Sequence, residues 1–489
     1  PAVGGCALSA KAHNSCLEGE NVKIFKNLLM SVAVCSMLIA CVACSGGNDH
    51  GLNPGSPTPV TIWHYYNGAL GSTFDEMVTD FNNTLGKEKG IVVSAKSKGS
   101  IAGVEEAIRA SIDGEIGAEA LPQIFSVYSD TAYSVKDKIA DLSNYLTASQ
   151  IKEFVPSYIE EGGFEKEGEI KMFPIAKSTE VLAINKTDWD KFSEKTGADV
   201  KKFATWEGIT ELSEQYYAWS GGKAFFGRDA FANYMLVGSK QLGKPVFEVE
   251  NGQVTFQLDS EVMRKLWDNY YVPYVKGWFK HGGKFRTDDI KSGAIVACVG
   301  STSGVTYFPE NVDNNKDPEY AIQGMILPLP NFAGTEKYAV QQGAGMAVVR
   351  SDEKTEYAST VFLRWFSEKD NNLKYSLGSG YLPVKKDLNT EEAAKEYFTD
   401  NTEISALMKS TLYTGIEIVN NYTLYTTLPF DCGTEAREIV NTSMIDKAVE
   451  DFAAIENGKV TLQQCLTVGH FEEWLKALGA SLENLKDNG

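Results

Sequence analysis

Aromatic and hydroxyl side chains follow strand-like segments of this sequence, and that combination suits the binding of a sugar. Tyr65 and Tyr66 come directly after a first apolar run, and Ser129 and Asp130 follow a later one. A sugar presents ring hydroxyls and apolar C–H faces, so its pocket needs planar aromatic rings together with fixed donors and acceptors. Asp130 can accept two neighbouring sugar hydroxyls, or it can serve as a helix N-cap.

Two serines extend this set of candidate ligand contacts. Ser97 comes after a second strand-like run, 91–93. Ser301 lies in the small-residue turn 300–304, which offers backbone N–H groups and hydroxyls. The sequence therefore places candidate contacts after several strands.

Motifs of enzymes are absent from the sequence. The turn 300–304 reads GSTSG, with Thr302 where a G-x-S-x-G nucleophile elbow has serine. His64, His281 and His470 are scattered and define no triad, and there is no H-E-x-x-H or P-loop. We therefore expect a binding protein rather than an enzyme. A carbohydrate-active hydrolase stays open as an alternative, because two carboxylates can face each other across a cleft.

Apolar periodicity predicts the elements that hold these residues. Strand-like runs at 60–64, 91–93 and 124–128 alternate with two helical patterns, the second over about 104–116. That order predicts an α/β fold with a mostly parallel sheet, which binds ligands at the carboxyl ends of its strands.

Later segments carry local signals of their own. Residues 162–174 look like a hairpin, and 178–186 like a strand. Thr205 is a candidate N-cap. The Asn-Gly within 247–257 predicts a further hairpin.

Bulk properties limit the partners. The segment from Cys41 to Gly489 is too long for one compact core and suits two large lobes. The net charge of −19 argues against nucleic acid or anionic lipid as a partner. Cys298, Cys432 and Cys465 form no disulfide framework and have no metal-ligand spacing. We expect neither a metal nor a cofactor.

The N-terminal region predicts export. Lys23 and Lys26 precede an apolar run too short to span a bilayer, followed by small residues. Residues 22–43 thus resemble a bacterial lipoprotein signal, in which a cysteine is lipidated. Cys41 is the better match, although the Ser-Gly-Gly after Cys44 is also typical.

The segments around this signal differ in character. Residues 44–59 are rich in Gly, Pro, Ser and Asn, which predicts a flexible tether. Residues 1–21 show no periodicity, and we expect them to be a non-native upstream extension, with translation starting at Val22 or Met30.

Several segments, taken in order, resemble the family 1 extracellular solute-binding proteins of ABC importers, such as the maltose- and glycerol-3-phosphate-binding proteins. The matching segments read TIWHYYNG, FPIAKSTEVLAINK, TWEGITELSEQY, SGAIVACVGSTSG and RWFSEKDNNLKYSLGSGYLPV. Their order covers most of residues 60–489. The resemblance implies two hinged lobes, which we place at 60–177 plus 325–377 and at 178–324 plus 378–489.

The resemblance also implies contact residues. Ser97, Ser178, Gly343 and Tyr381 match ligand contacts of these relatives. Arg228 and Asp229 stand in a segment where the glycerol-phosphate binders carry stacking tryptophans, and they can equally form a surface ion pair.

The expected ligand follows from the C-terminal third. No arginine is found at the place where the glycerol-phosphate binders use one, and tyrosines, among them Tyr413, are common there. An uncharged carbohydrate, an oligosaccharide, is therefore expected, with a glycerol-3-phosphate or phosphodiester ligand as the alternative. The lipoprotein signal implies an anchor at the outer face of the bacterial cytoplasmic membrane, and the lipid tether suggests a monomer. The resemblance implies a membrane permease as the partner.

Overall fold

Two four-stranded sheets organise the part of the chain that the structure describes. The structure is a computed structural model, and it describes residues 49–250, 252–314 and 318–488. The chain divides into two units, Pro1–Gly51 and Leu52–Gly489. The first unit lies almost entirely outside the described residues, as do the predicted signal with Cys41 and Cys44 and the predicted upstream extension. All that follows concerns the second unit.

The first sheet is mostly parallel, as the sequence predicts. Its strand order is Gly345–Val348, Ile124–Val127, Thr58–His64 and Ile91–Ser97. The last three are parallel, whereas Gly345–Val348 is antiparallel to its neighbour. We call the part of the chain built on this sheet lobe one.

The second sheet has mixed directions. Its strand order is Gly324–Pro328, Glu180–Asn185, Ala297–Ser301 and Phe226–Arg228. The strand Glu180–Asn185 is antiparallel to both neighbours, and it is buried throughout. We call the part built on this sheet lobe two.

Helices cover both sheets, and about half of them begin at a side-chain cap. Thr205 accepts a hydrogen bond from the Gly208 N–H (3.0 Å), which confirms its predicted role as an N-cap. The α-helices span Gly68–Asn83, Leu85–Lys89, Ile101–Asp113, Ser129–Ser134, Ala148–Ile151, Pro156–Glu160, Lys186–Thr196, Trp206–Ser220, Phe231–Gln241, Ser260–Val275, Arg286–Lys291, Glu353–Phe366, Lys369–Ser379, Glu391–Asp400, Ala406–Asn421, Gly433–Glu456, Leu462–Cys465 and Val468–Asn488. Among the described residues, none of these helices combines the length and apolar character needed to cross a bilayer.

Short strand pairs complete the fold. The predicted Asn-Gly hairpin is confirmed as Phe247–Glu250 paired with Gln253–Phe256. The other pairs are Asn311–Val312 with Tyr320–Ala321, and Tyr338–Val340 with Thr423–Tyr425.

Three chain segments join the two lobes, and they bridge one another where they cross. The Ser178 N–H donates to the Gln342 carbonyl (2.8 Å), and the Leu382 N–H donates to the Lys177 carbonyl (2.6 Å). The Lys177 ammonium donates to the Gly343 carbonyl (2.8 Å) and pairs with Glu161, both inside the protein. The crossing is therefore a hydrogen-bonded unit rather than three separate linkers.

Three sequence expectations differ from the structure. The strand Gly324–Pro328 pairs with Glu180–Asn185, so the start of the predicted range 325–377 belongs to lobe two. Residues 162–174 form turns instead of a hairpin, because Phe173 pairs with Met346 of the first sheet. The helix expected over 104–116 ends at Asp113, since Gly114 takes the left-handed conformation that closes it.

The predicted tether also differs from the structure at its C-terminal end. Leu52 packs against the core of lobe one, and Thr58 opens the first strand. Gly90 adopts φ +73°, and a Cβ there would meet the Asn53 carbonyl carbon at 2.3 Å. Residues 52–59 are thus fixed to lobe one, because the Leu52 side chain packs into its core and the Gly90 turn, which has no side chain, lets the backbone at Asn53 come close.

Candidate ligand-binding site

A cavity of about 670 Å³ lies between the lobes, at the carboxyl ends of strands from both sheets. Tyr65 and Tyr128 line it just after two strands of lobe one. Asp229 and Ser301 line it at the ends of two strands of lobe two. Strand ends of an α/β sheet present loops and free backbone groups, which makes this the expected place for a ligand.

Six of the predicted contact residues meet at this cavity. They are Tyr65, Ser178, Asp229, Ser301, Gly343 and Tyr381.

Two of these side chains approach each other from distant segments of the chain. Tyr381 packs in the core of lobe one, so the start of the range 378–489 that we predicted for lobe two belongs to lobe one. The hydroxyls of Tyr65 and Tyr381 lie 3.1 Å apart. Burial raises the pKa of Tyr65 and of Tyr381, so both hydroxyls stay protonated and can donate hydrogen bonds.

A second cavity of about 340 Å³ adjoins the first. Tyr128, Ala230 and Gln342 line both cavities, and the predicted residues Ser129 and Asp130 line the second. Ala230 has φ +45°, a conformation that is strained for a residue with a side chain. A strained backbone conformation persists only where the surrounding structure holds it in place, and such positions are common at binding sites.

Two predicted residues of lobe one lie outside these linings. Tyr66 is buried in the core, because its ring packs against His64 and Phe74 instead of facing the cavity. The Ser97 hydroxyl donates to the Tyr66 carbonyl (3.0 Å) and to the Asn67 amide oxygen (3.1 Å). His64 brings no positive charge to the site, since burial lowers its pKa to about 4.

Arg228 also differs from its expectation. Its side chain is 1% exposed, and its Nη2 donates to both carboxylate oxygens of Glu180, at 2.7 and 2.8 Å. Asn233 donates to the same carboxylate (2.7 Å). The surface ion pair with Asp229 is therefore wrong: Arg228 is a core residue that fixes one wall of the cavity.

Tyr413 lines neither cavity. It lies beside a shallow surface groove and packs edge-on against Phe398 in a small core of the C-terminal helices.

The charges of the first cavity are acidic. Glu180 and Asp229 line it, and no Lys, Arg or His of the described residues does. Burial raises the pKa of Asp229, although the hydrogen bond from the Arg286 N–H and the charge of the Arg286 guanidinium act in the opposite direction. An anionic ligand finds no cation there.

Sequence reasoning missed several lining residues. Of the described residues, the exposed aromatic side chains are Tyr128, Trp219, Phe285 and Tyr307, with exposed fractions of 41, 42, 52 and 77%. All except Trp219 line the first cavity. Tyr307 could have been found from the sequence, because it follows the candidate turn 300–304. Phe285, and Arg437 of the second cavity, stand in segments where no motif points to a binding site.

One group elsewhere has the side chains of a metal site. Asp451, Cys465 and His470 lie within 4.8 Å of one another by their ligating atoms. The Asp451 carboxylate is already bonded to His470 (2.6 Å), to the Tyr271 hydroxyl (2.5 Å) and to the Lys447 ammonium (2.8 Å). These contacts satisfy both oxygens, so the group joins helices of lobe two as a hydrogen-bonded network.

Solved structures share this fold at low sequence identity. A cyclic alpha-maltosyl-1,6-maltose binding protein from Arthrobacter globiformis is similar with a TM-score of 0.67 and 16% identity, covering 89% of this chain and 100% of that one. UgpB from Mycobacterium tuberculosis, in complex with glycerophosphocholine, and Lmo0181 from Listeria monocytogenes, in complex with cycloalternan, each give 0.64 and 15%, over 88% and 99%. The expected two-lobed α/β fold is confirmed.

Sequence comparison assigns the family. None of the curated protein sequences matches the chain. The family model of the bacterial extracellular solute-binding proteins matches residues 76–404, which hold the strands of both sheets except the first. The chain belongs to the family of bacterial extracellular solute-binding proteins.

Proposed function

We propose that this protein binds a carbohydrate, an oligosaccharide, between its lobes and delivers it unchanged to the permease of an ABC importer. The observation that carries this proposal is the position of the exposed aromatic rings. Tyr128, Phe285 and Tyr307 expose apolar surface to water, and all three do so toward one cavity. A sugar ring can cover such surface with its C–H face, while its hydroxyls bond to the polar groups between the rings.

The size of the site favours more than one sugar ring. The two adjoining cavities measure about 670 and 340 Å³, and pockets for drug-sized ligands occupy about 300–1,000 Å³. Each cavity alone is large enough for a small ligand.

Charge separates this proposal from the phosphodiester alternative. The structural neighbour UgpB was solved with glycerophosphocholine. Here the first cavity has no cationic lining residue among those described, and Arg437 in the second cavity faces the acids Glu105, Asp130 and Glu161. A phosphate would find no cation in the lining of the first cavity and only Arg437, among acids, in that of the second, so an uncharged ligand is favoured.

A thermal-shift and calorimetric screen tests the ligand class. The panel contains linear and cyclic gluco-oligosaccharides, other oligosaccharides, glycerol 3-phosphate and glycerophosphocholine. An oligosaccharide at 100 times its Kd adds about 2.7 kcal/mol of stability. Binding of glycerophosphocholine alone would establish the alternative, and a sugar product released during incubation would establish a hydrolase.

Tyr381 is expected to carry a large part of the binding. Replacing it with Ala removes a ring and a hydroxyl from the cavity wall, and we expect the ligand-induced thermal shift to disappear. Tyr381→Phe keeps the ring and loses the bond to Tyr65, and about tenfold weaker binding is expected, as for one lost hydrogen bond. Tyr413→Ala, outside both cavities, is the matched control. Unchanged affinity in both Tyr381 variants would remove this residue from the site.

We further propose that a lipid on Cys41 or Cys44 holds the exported monomer at the outer face of the cytoplasmic membrane. Replacing the lipidated cysteine with Ser should move the protein from the membrane fraction to the soluble one, because one attachment site carries the anchor. Cys41→Ser and Cys44→Ser, compared in the producing bacterium, identify that cysteine. A double variant that still sediments with membranes would contradict the anchor.

A further inference from the structure

A buried arginine lies directly behind the wall of the first cavity. The Arg286 side chain is 0% exposed, and its backbone N–H donates to Asp229 Oδ1 (3.1 Å). Its Nε lies 3.5 Å from the same oxygen and, among the described residues, has no hydrogen-bond partner. Asp229 and Phe285, the residue before Arg286, both line the cavity. Arg286 thus stands behind two cavity residues without lining the cavity itself.

The guanidinium is held in place from its other side. Nη1 pairs with Asp289, and Nη2 donates to the Gly283 carbonyl (2.5 Å). The Asp289 carboxylate also accepts the N–H groups of Gly282 (3.2 Å) and Gly283 (2.8 Å). These bonds close the segment 282–286 around the guanidinium, so the position of Phe285 depends on them.

A glycine makes room for the arginine against the strand that leads to Asp229. Gly227 belongs to the strand Phe226–Arg228. A Cβ at this position would lie 3.0 Å from Arg286 Cδ and 2.6 Å from the Lys280 carbonyl oxygen. The stem of Arg286 therefore packs on the backbone that places Asp229.

The Asp229 carboxylate keeps one oxygen for a ligand. Oδ1 faces Arg286, whereas no group of the described residues donates a hydrogen bond to Oδ2. Oδ2 lies next to Gly300, where an added Cβ would be 3.2 Å away, and Gly300 lines the same cavity. The Asp229 side chain is 28% exposed, so a hydroxyl can reach it. One carboxylate oxygen has two acceptor sites for such donors.

We propose that Arg286 is a positioning residue for ligand recognition: it holds the Asp229 carboxylate and the Phe285 ring in one arrangement, in which the carboxylate accepts hydroxyls of a sugar whose C–H face covers the ring. This inference rests on the proposed function, because a carbohydrate has both the hydroxyl donors and the apolar face. Arg286 touches no ligand. Its planar fork reaches several acceptors at once, which a lysine cannot do.

The charge of Arg286 also predicts how binding depends on pH. Burial raises the pKa of Asp229, while Arg286 and, more weakly, Arg228 act in the opposite direction. Arg228 is itself paired with Glu180. Burial keeps the other titratable groups around the pair uncharged above pH 6.5, because it raises the pKa of the thiol and the phenol and lowers that of the imidazole: Cys298, Tyr270 and His281.

The sign of the effect follows from the species that binds. The ionised Asp229 carboxylate accepts the ligand hydroxyls, so affinity is complete above its pKa and falls as the pH drops through it. Loss of the Arg286 charge raises this pKa, and the fall in affinity then begins at a higher pH.

Calorimetry with maltotetraose and with cycloalternan, from about pH 8 to about pH 5, tests the role of the charge. The pH below which affinity falls should be about one unit or more higher for Arg286→Met than for the wild type, as an opposite charge at this distance requires. Arg286→Lys should bind about tenfold more weakly but restore the wild-type pH, since it keeps the charge and loses hydrogen bonds. Asp229→Asn should remove the difference in pH dependence between the Arg286 backgrounds.

The matched control is Arg264→Lys, because Arg264 also pairs with an aspartate of lobe two and lines neither cavity. It should bind as the wild type does at every pH. An Arg286→Met protein that binds more weakly by the same factor at all pH values has lost only structure, and that result would overturn the inference.

Hydrogen–deuterium exchange without any sugar tests the positioning by itself. In Arg286→Lys the backbone amides of 282–288 should exchange at least about tenfold faster than in the wild type, as for one lost hydrogen bond. In Arg264→Lys they should be unchanged. Equal exchange in the Arg286 variant and the wild type would refute the positioning role. If neither sugar binds the wild type, the proposed function fails, and this measurement still decides whether Arg286 fixes the segment.

A crystal structure of the wild type with cycloalternan or maltotetraose needs no variant. We expect a ligand hydroxyl within hydrogen-bond distance of Asp229 Oδ2 and the Phe285 ring against the same sugar unit. A bound sugar that contacts only one of these two residues would contradict a shared arrangement.

Discussion

Replacing Arg228 with Met is expected to lower the free energy of unfolding by about 3–5 kcal/mol, the cost of breaking a buried ion pair by removing one partner. The Arg228 and Glu180 side chains are 1 and 2% exposed, so the variant leaves a carboxylate in the core of lobe two. Asn233 still donates one hydrogen bond to it (2.7 Å), but an amide does not neutralise a charge. The midpoint of urea unfolding, followed by tryptophan fluorescence, measures the loss.

A surface ion pair serves as the control for this prediction, and a double variant tests its cause. Lys395→Met breaks an exposed pair with Glu391 in a helix of lobe two and should cost no more than about 0.5 kcal/mol. Adding Glu180→Leu to Arg228→Met removes the orphan charge and should recover much of the stability. A loss below 1 kcal/mol in the single variant would mean that water reaches Glu180 and that the wall is not dry.

Gly343→Ala is expected to weaken ligand binding by at least tenfold and to lower stability by about 1–3 kcal/mol, the usual cost of one strained backbone position. Gly343 has φ +100°, which a residue with a side chain rarely adopts. A Cβ would also lie 3.1 Å from the Ala176 carbonyl oxygen and 3.2 Å from Lys177 Cα, in another crossing segment. The crossing would have to widen where it forms the cavity wall.

Calorimetry with the oligosaccharide found in the screen measures the loss of affinity at Gly343. The matched control is Gly378→Ala, because Gly378 also lines the cavity but sits in a helix with nothing within 4 Å of the added atom. If Gly343→Ala bound the ligand as tightly as the wild type does, the crossing segments would be able to shift and accommodate the Cβ. Gly343 would then have no role in shaping the site.

Local features of the fold could be predicted from the sequence because their causes are local. The strand Thr58–His64 and the helix after it follow from the spacing of apolar residues, and Thr205 has the chemistry of an N-cap. The Asn-Gly turn forms its hairpin as expected. Each of these depends on residues that are close together in the sequence.

Partner choice over long distances could not be predicted in the same way. Arg228 pairs with Glu180, 48 residues away, and nothing near either residue indicates this. Phe173 pairs with Met346, so the expected hairpin at 162–174 does not form. Phe285 directly precedes the helix Arg286–Lys291, and Tyr307 ends the 3₁₀ helix Ser303–Tyr307. Whether these residues reach the cavity depends on the packing of lobe two.

The order of segments has a consequence for how the chain folds. The core of lobe one combines Val60 and Phe74 with Met346 and Val384. The core of lobe two contains residues that precede Met346 and residues that follow Val384. Neither half can be cut out as a continuous fragment. Because such distant contacts carry a high entropic cost of loop closure, slow folding is expected, and a chain truncated before residue 384 should be unable to complete either half.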